Sequence, residues 1–235
     1  MKFSIVIPCF NELKNIKFLI NDIKKNFRLR PFEFIFVNNG SKDNTKNFIN
    51  NFKKKNKKID KIRFVEIKIN RGYGHGVLKG LKSTKGDIVG WIHADRSIEL
   101  NSLIYASKFF KDNESKNIFV KGIRVGERPF FDKIFSLFLS ITSSIILRRM
   151  LLSITSQPTL FHKSFLKTWH NPPNDFSLDL FSLYKAKISS KKIIRFKILH
   201  KDRLMGNSSW NKNFFSKIKL SFIYIKSIIK IIKLN

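Results

Sequence analysis

Asp87-Ile88-Val89-Gly90-Trp91-Ile92-His93-Ala94-Asp95 is the stretch from which the fold can be read. Ile88, Val89, Trp91 and Ile92 form an apolar run of strand length, punctuated by Gly86 at its start. The run ends by delivering an imidazole, His93, and a carboxylate, Asp95. In open α/β sheets, ligands collect in the crevice beyond the carboxyl ends of the strands. A buried strand that ends this way marks either a ligand site or an ordinary exit into solvent.

The residues before it repeat the pattern. Phe3 to Pro8 reads as a first strand, followed by Leu13, Ile16, Leu19, Ile20 and Ile23 at helical spacing. Phe32 to Val37 reads as a second strand that ends in the turn signature Asn38-Asn39-Gly40-Ser41. Asp43 then caps a helix carrying Phe48, Ile49 and Phe52. A third strand is expected from Ile62 to Ile69, and Asn70-Arg71-Gly72-Tyr73-Gly74-His75-Gly76 opens a helix carrying Val77, Leu78 and Leu81. This β-α rhythm predicts an α/β fold with a mostly parallel, Rossmann-like sheet. Right-handed crossovers would place the four strand ends on one rim. Further elements are expected at Leu103–Phe110 (helix), Ile118–Ile123 (strand), Gln157–Phe161 (strand), Phe176–Ala186 (helix) and Ile193–Leu199 (strand), with a polar loop from Lys201 to Trp210.

Composition narrows the class. The 235 residues fit one domain, or one domain with an appendage, and 43% hydrophobic residues including 25 Phe supply a large core. Cys9 is the single cysteine, so no intrachain disulfide forms and a reducing compartment is expected. The N-terminal apolar run is too short for a signal peptide, which puts the expected location on the cytosolic side. The net charge of +31 favours polyanionic partners: nucleic acid, anionic lipid or phosphorylated substrates. The 14 Lys and Arg between Leu180 and Asn235 face a single acid, Asp202.

Two segments point to a membrane surface. Ile134 to Leu147 carries no charge over 14 residues, short of the roughly 18–20 that a span requires, so it suits a buried helix or one lying in the interface. In the tail, Lys212, Lys219, Lys226, Lys230 and Lys233 share a narrow arc of a helix, while Phe222, Ile225, Ile228, Ile229 and Ile232 occupy the other side. That is the pattern of a basic amphipathic interface helix; a helix docked on the protein's own core is the alternative. The expected division is a catalytic part, residues 1–210, and a C-terminal anchor helix, residues 211–235.

Several motifs, in order, resemble the family-2 glycosyltransferases. Ile5-Val6-Ile7-Pro8-Cys9-Phe10-Asn11-Glu12 is similar to their opening, and Phe36 to Thr45 to their second signature. Asn70-Arg71-Gly72-Tyr73-Gly74 is similar to their glycine turn, and His93-Ala94-Asp95 sits where the family carries an Asp-x-Asp metal motif. Gly122-Ile123-Arg124, Arg128-Pro129-Phe130, Ser177-Leu178-Asp179-Leu180 and Arg203 to Ser209 resemble the polyprenyl-phosphate branch, typified by dolichyl-phosphate mannose synthase.

The resemblance implies an inverting transfer of a sugar from a nucleotide diphosphate donor, assisted by a divalent cation, Mg²⁺ or Mn²⁺. It implies that Pro8, Phe10 and Glu12 line the nucleoside, with Asn38, Asn39, Gly72 and Ala94 completing the donor site. Asn38 and Asn39 replace the usual Asp pair, and an amide oxygen still accepts a hydrogen bond from a base N–H. His93 replaces the first metal-motif Asp, which leaves Asp95 as the first metal ligand and His93 as the second, or as a direct donor to the diphosphate. Mn²⁺ accepts imidazole more readily than Mg²⁺ does. Ser97 stands where branch members often carry Gln. Arg124, Arg128 and Arg203 are expected to hold phosphates.

The implied acceptor is a polyprenyl phosphate whose oxygen is already anionic. A glycan or glycolipid hydroxyl is the alternative, and would need a base such as Asp179 or Asp175. Asp175 also fits a helix N-cap. The implied location is peripheral, on the cytoplasmic side of an anionic membrane surface. A non-catalytic nucleotide-sugar-binding protein and a nucleic-acid-binding protein are the remaining readings. The second is disfavoured because the basic residues form no stripe interleaved with aromatics.

Overall fold

The structure, a computed structural model, describes residues 1–56, 61–110, 112–126, 129–201 and 214–233. Its centre is a seven-stranded sheet. β1 (Phe3–Cys9) lies between β2 (Phe32–Asn39) and β4 (Ile88–Trp91), parallel to both, and β3 (Ile62–Ile67) adds a further parallel strand outside β2. β6 (Thr159–His162) is antiparallel to β4 and to β5 (Ile118–Val125), and β7 (Lys192–Leu199) ends the sheet parallel to β5. The sheet is therefore mostly parallel, as the β-α rhythm predicts.

The antiparallel seat of β6 was not predicted, and its cause is local. Gly90 stands opposite Leu160, and a Cβ there would lie 2.0 Å from the Thr159 carbonyl oxygen. Only glycine lets β4 and β6 approach this closely.

Alternation along the strands feeds two cores. On one face Ile5, Ile7, Phe34 and Phe36 pack with Ile16 and Ile20 of α1 (Leu13–Asn26) and Leu103 of α4 (Asn101–Ser107). Phe48 and Phe52 of α2 (Thr45–Lys55) cover the edge of that core. On the other face Val6, Ile35, Val37 and Trp91 pack against α3 (Tyr73–Lys82) and α6 (Leu178–Ile188) through Val77, Leu81, Leu180 and Leu183. Strands covered on both faces read as continuous apolar runs, which is why the sequence reveals them.

Two further helices join the second core. α5 (Phe130–Ile146) takes in the uncharged segment and contributes Leu139, with Leu147 just beyond it. α7 (Phe214–Lys233) contributes Leu220, Tyr224, Ile228 and Ile231, and the Tyr224 hydroxyl donates to the Phe176 carbonyl over 3.1 Å. The tail thus docks on the protein's own core by one stripe, Ile228 included. Among the described residues, no helix is long and apolar enough to cross a membrane. The boundary expected near residue 210 and most of the expected Lys201–Trp210 loop fall outside the described residues.

Candidate active site

The loops after β1 and β2 are stitched together. Asn11 adopts a left-handed φ of 57°, its N–H donates to Ser41 Oγ at 3.0 Å, and its Oδ1 accepts from the Lys42 N–H at 2.8 Å. The Asp43 carboxylate accepts from the Leu13 N–H (3.2 Å) and the Thr45 N–H (3.1 Å), where it complements the positive ends of α1 and α2. Asn38 is spent within this turn: it is buried, and its Oδ1 accepts from the Ser41 N–H at 3.1 Å. It shapes the rim without lining the cleft described next.

A cleft of about 310 Å³ opens where β1, β2 and β4 end. Pro8, Cys9, Phe10 and Glu12 form its β1 wall, and Asn39, Asn70 and Gly72 face them. Asn39 Nδ2 donates to the Gly72 carbonyl at 2.9 Å and to Asn70 Oδ1 at 3.3 Å, fastening the end of β2 to the glycine turn. Gly72 has φ 105°, and a Cβ on it would lie 2.4 Å from the Asn174 carbonyl oxygen, so both backbone and space demand glycine.

His93, Ala94 and Asp95 close the cleft from the end of β4. Two aromatic residues without a role in the sequence reading complete it: Tyr73 stacks on Phe176 at 5.1 Å, and its ring centroid stands 5.5 Å from that of His93. Tyr73 lies in the glycine turn, so its neighbours could have drawn notice. Phe176 follows an unremarkable loop and carried no signal.

The electrostatics divide the polar groups. Burial pushes the His93 imidazole below its ordinary pKa, against the opposing pull of Asp95 and Asp179, so it is neutral near pH 7 with a lone pair to offer. Asp95 Oδ1 accepts from the Ser97 N–H (3.0 Å) and Ser97 Oγ (2.8 Å), which orients the carboxylate. Among the described residues, no group of three or more His, Cys, Asp or Glu converges as a metal cage. One carboxylate and one neutral imidazole on the same cleft fit a cation that takes its remaining ligands from a bound diphosphate and water.

Other expected site residues lie elsewhere. Asp179 is buried beneath the cleft, where it accepts from Trp91 Nε1 at 3.1 Å, and burial pushes its carboxyl up against the pull of Lys121. It is not among the residues that line the cleft. Asp175 Oδ1 accepts from the Ser177 N–H (2.9 Å) and Ser177 Oγ (2.5 Å), the cap-like role at the start of α6. Arg124, on β5, donates from Nη2 to Thr155 Oγ1, off the cleft wall. Arg128 and Arg203 lie outside the described residues.

The sequence and fold have counterparts among known proteins. The chain belongs to glycosyl transferase family 2, whose family model matches residues 4–172. It is similar to the poly-beta-1,6-N-acetyl-D-glucosamine synthase of Staphylococcus epidermidis, with 28% identity over 110 residues, 47% of this chain and 26% of that protein. It is also similar to the bactoprenol glucosyl transferase of Shigella phage SfX, with 33% identity over 97 residues, 40% of this chain and 31% of the relative. The matches thus span 26% and 31% of the length of these curated relatives. Among solved structures, glucosyl-3-phosphoglycerate synthase from Mycobacterium tuberculosis, in complex with Mn²⁺, uridine diphosphate and glucosyl-3-phosphoglycerate, superposes with a TM-score of 0.70. That match has 17% identity over 97% of this chain and 79% of the other, which is a likeness of fold.

Proposed function

We propose that the protein transfers a sugar, with inversion, from a nucleotide diphosphate donor to a polyprenyl phosphate at the cytosolic surface of a membrane. The observation that carries the reading is the cleft at the shared rim of β1, β2 and β4, with Asp95 and a neutral His93 on one wall. The nucleoside would lie between Pro8, Phe10 and Glu12 on one side and the Asn39–Gly72 junction on the other. Its diphosphate would point toward Ala94 and Asp95. Asp95 and His93 would hold the divalent cation, which when bound neutralises charge on the leaving diphosphate. A solved relative in fold, named above, contains both Mn²⁺ and uridine diphosphate.

The state of the carboxylates on the wall supports the choice of acceptor. Glu12 and Asp95 are the carboxylates lining the cleft among the described residues; Glu12 accepts from Asn15 Nδ2 at 2.6 Å, and Asp95 is held by Ser97. A phosphate oxygen is already ionised and needs no general base, so this wall suits it better than a hydroxyl. The bactoprenol glucosyl transferase named above supports the same acceptor class. Such a lipid brings the protein to a membrane, with residues 1–210 as the catalytic part and the helix within 211–235 as a membrane contact.

The test is incubation with labelled nucleotide sugars and extracted lipids, in Mg²⁺ and in Mn²⁺. A lipid product cleaved by mild acid is expected. An acid-stable glycan would overturn the phosphate acceptor in favour of a hydroxyl, and no transfer from any donor would overturn the reading as a whole.

A further inference from the structure

α5 is built inside out. Its buried side is Leu139, Ser140 and Ser143, while Phe130, Ile134, Leu137, Phe138, Ile141 and Ile145 face outward. Phe130 is 69% exposed and Ile145 70%. The Ser140 hydroxyl turns back on the helix and donates to the Ser136 carbonyl at 2.9 Å, as half-buried Ser144 Oγ does to the Ser140 carbonyl at 2.6 Å, while the buried Ser143 Oγ has no hydrogen-bond partner among the described residues. A water-facing helix would carry the reverse pattern.

α7 packs beside α5 and shows three stripes. Leu220, Tyr224, Ile228 and Ile231 point into the core; Phe222, Ile225, Ile229 and Ile232 are exposed; Lys226 and Lys230 form a third stripe beside the exposed one. Two adjoining helices thus offer exposed apolar side chains in numbers that a monomer in water rarely shows.

We propose that α5 and α7 together form one docking surface for an anionic lipid bilayer, with α5 as its principal apolar element. The proposal deepens the membrane placement argued above and rests on it for its biological sense. Charge selects the occupant. Lys133, Arg148 and Arg149 on and just after α5, and Lys226 and Lys230 on α7, stand against Asp132 as the one acid of these helices. A second copy of the chain seated on this face would set cation against cation, within a protein of net charge +31. An anionic leaflet instead takes the apolar stripes into its acyl boundary and the lysines and arginines among its headgroups.

Topology connects this surface to the cleft. β5 runs parallel to β4, with antiparallel β6 between them, so the chain leaves β5 for α5 at the rim where the cleft opens. Docking through α5 therefore sets the mouth of the cleft beside the leaflet that holds a lipid acceptor.

The experiment is vesicle co-sedimentation of the full chain without donor or acceptor, comparing phosphatidylglycerol-containing vesicles with phosphatidylcholine alone. Ile141→Glu combined with Ile145→Glu removes the apolar stripe at exposed positions, and Lys226→Glu combined with Lys230→Glu reverses the basic one. Each lysine lost should weaken partition to anionic vesicles about fivefold. The isoleucine pair should weaken partition at least about tenfold to either vesicle. Both variants should retain far-UV circular dichroism and nucleotide-sugar binding, because neither pair lines the cleft. Unchanged partition for the isoleucine pair overturns the proposal. So does a dimer in sedimentation velocity that these substitutions abolish while the native chain ignores vesicles. Intact vesicle binding with no sugar transfer would fail the proposed enzyme function and leave the docking surface standing.

Discussion

Trp91 Nε1 donates to Asp179 Oδ1 across 3.1 Å, tying the strand that feeds the cleft to the first turn of α6. Both side chains are buried, and the fully buried Lys121 is the largest favourable charge on the Asp179 carboxyl. Asp179→Leu would strip Trp91 of its acceptor and leave Lys121 uncompensated, a loss of about 3–5 kcal/mol. Asp179→Asn keeps the acceptor and should cost less. Urea denaturation reads both. A Leu variant of native stability that has lost transfer would make Asp179 a chemical participant instead of a support.

Lys121 carries its own pH signature. Burial, opposed by Asp179, pushes its ammonium down to about 8, and the Nζ donates to Thr159 Oγ1 at 3.1 Å. In the unfolded chain lysine titrates near 10.4, so the folded state binds this proton more weakly. The stability it contributes is present above the unfolded pKa and is lost as pH falls toward about 8. The Lys121 contribution should therefore rise by about 2 kcal/mol between about pH 8 and about pH 10. Lys121→Met should erase that rise, as seen by urea midpoints across the window; an unchanged slope in the variant would exclude Lys121 as its source.

Asn39 shows that the family's commoner residue need not suit this chain. Its Nδ2 donates to the Gly72 carbonyl and to Asn70 Oδ1. Asn39→Asp would set a carboxylate oxygen against those two acceptors and free the glycine turn from β2. The expected effect is about 1–3 kcal/mol of stability and a weaker donor affinity, measured by thermal unfolding and by titration with nucleotide sugar. Tighter donor binding in Asn39→Asp would show that the base contact outweighs the turn.

The parallel half of the fold was legible because β1 and β2 are covered on both faces. Ile5, Val6, Ile7 and Phe34, Ile35, Phe36 read as unbroken apolar runs whose neighbours carry turn chemistry. The cleft-lining Pro8, Phe10, Glu12, Asn39, Gly72 and Asp95 were legible through the resemblance of their motifs to family-2 glycosyltransferases, and they line one cleft at the ends of these strands. What stayed hidden depends on distant partners. β6 is four residues long, and its seat depends on the close approach at Gly90. The burial of Asp179 depends on Trp91, 88 residues earlier. The outward face of α5 is set by which side meets Leu147, Tyr224 and their neighbours, and an uncharged run by itself does not specify that side.

The metal preference of the site tests the reading of His93 and Asp95 together. Asp95 is oriented by Ser97, and His93 is held neutral by burial. Asp95→Ala should reduce transfer at least about 100-fold and remove the cation dependence of nucleotide binding. His93→Asp replaces a nitrogen donor with an oxygen, so the ratio of Mg²⁺- to Mn²⁺-supported binding should rise, by about tenfold or more. Calorimetric titration of nucleotide diphosphate in each cation measures both effects apart from turnover. Equal metal ratios in the native chain and His93→Asp would place His93 outside the cation's shell, as a direct donor to the diphosphate. Cation-dependent binding that survives Asp95→Ala would move the metal away from the end of β4 altogether.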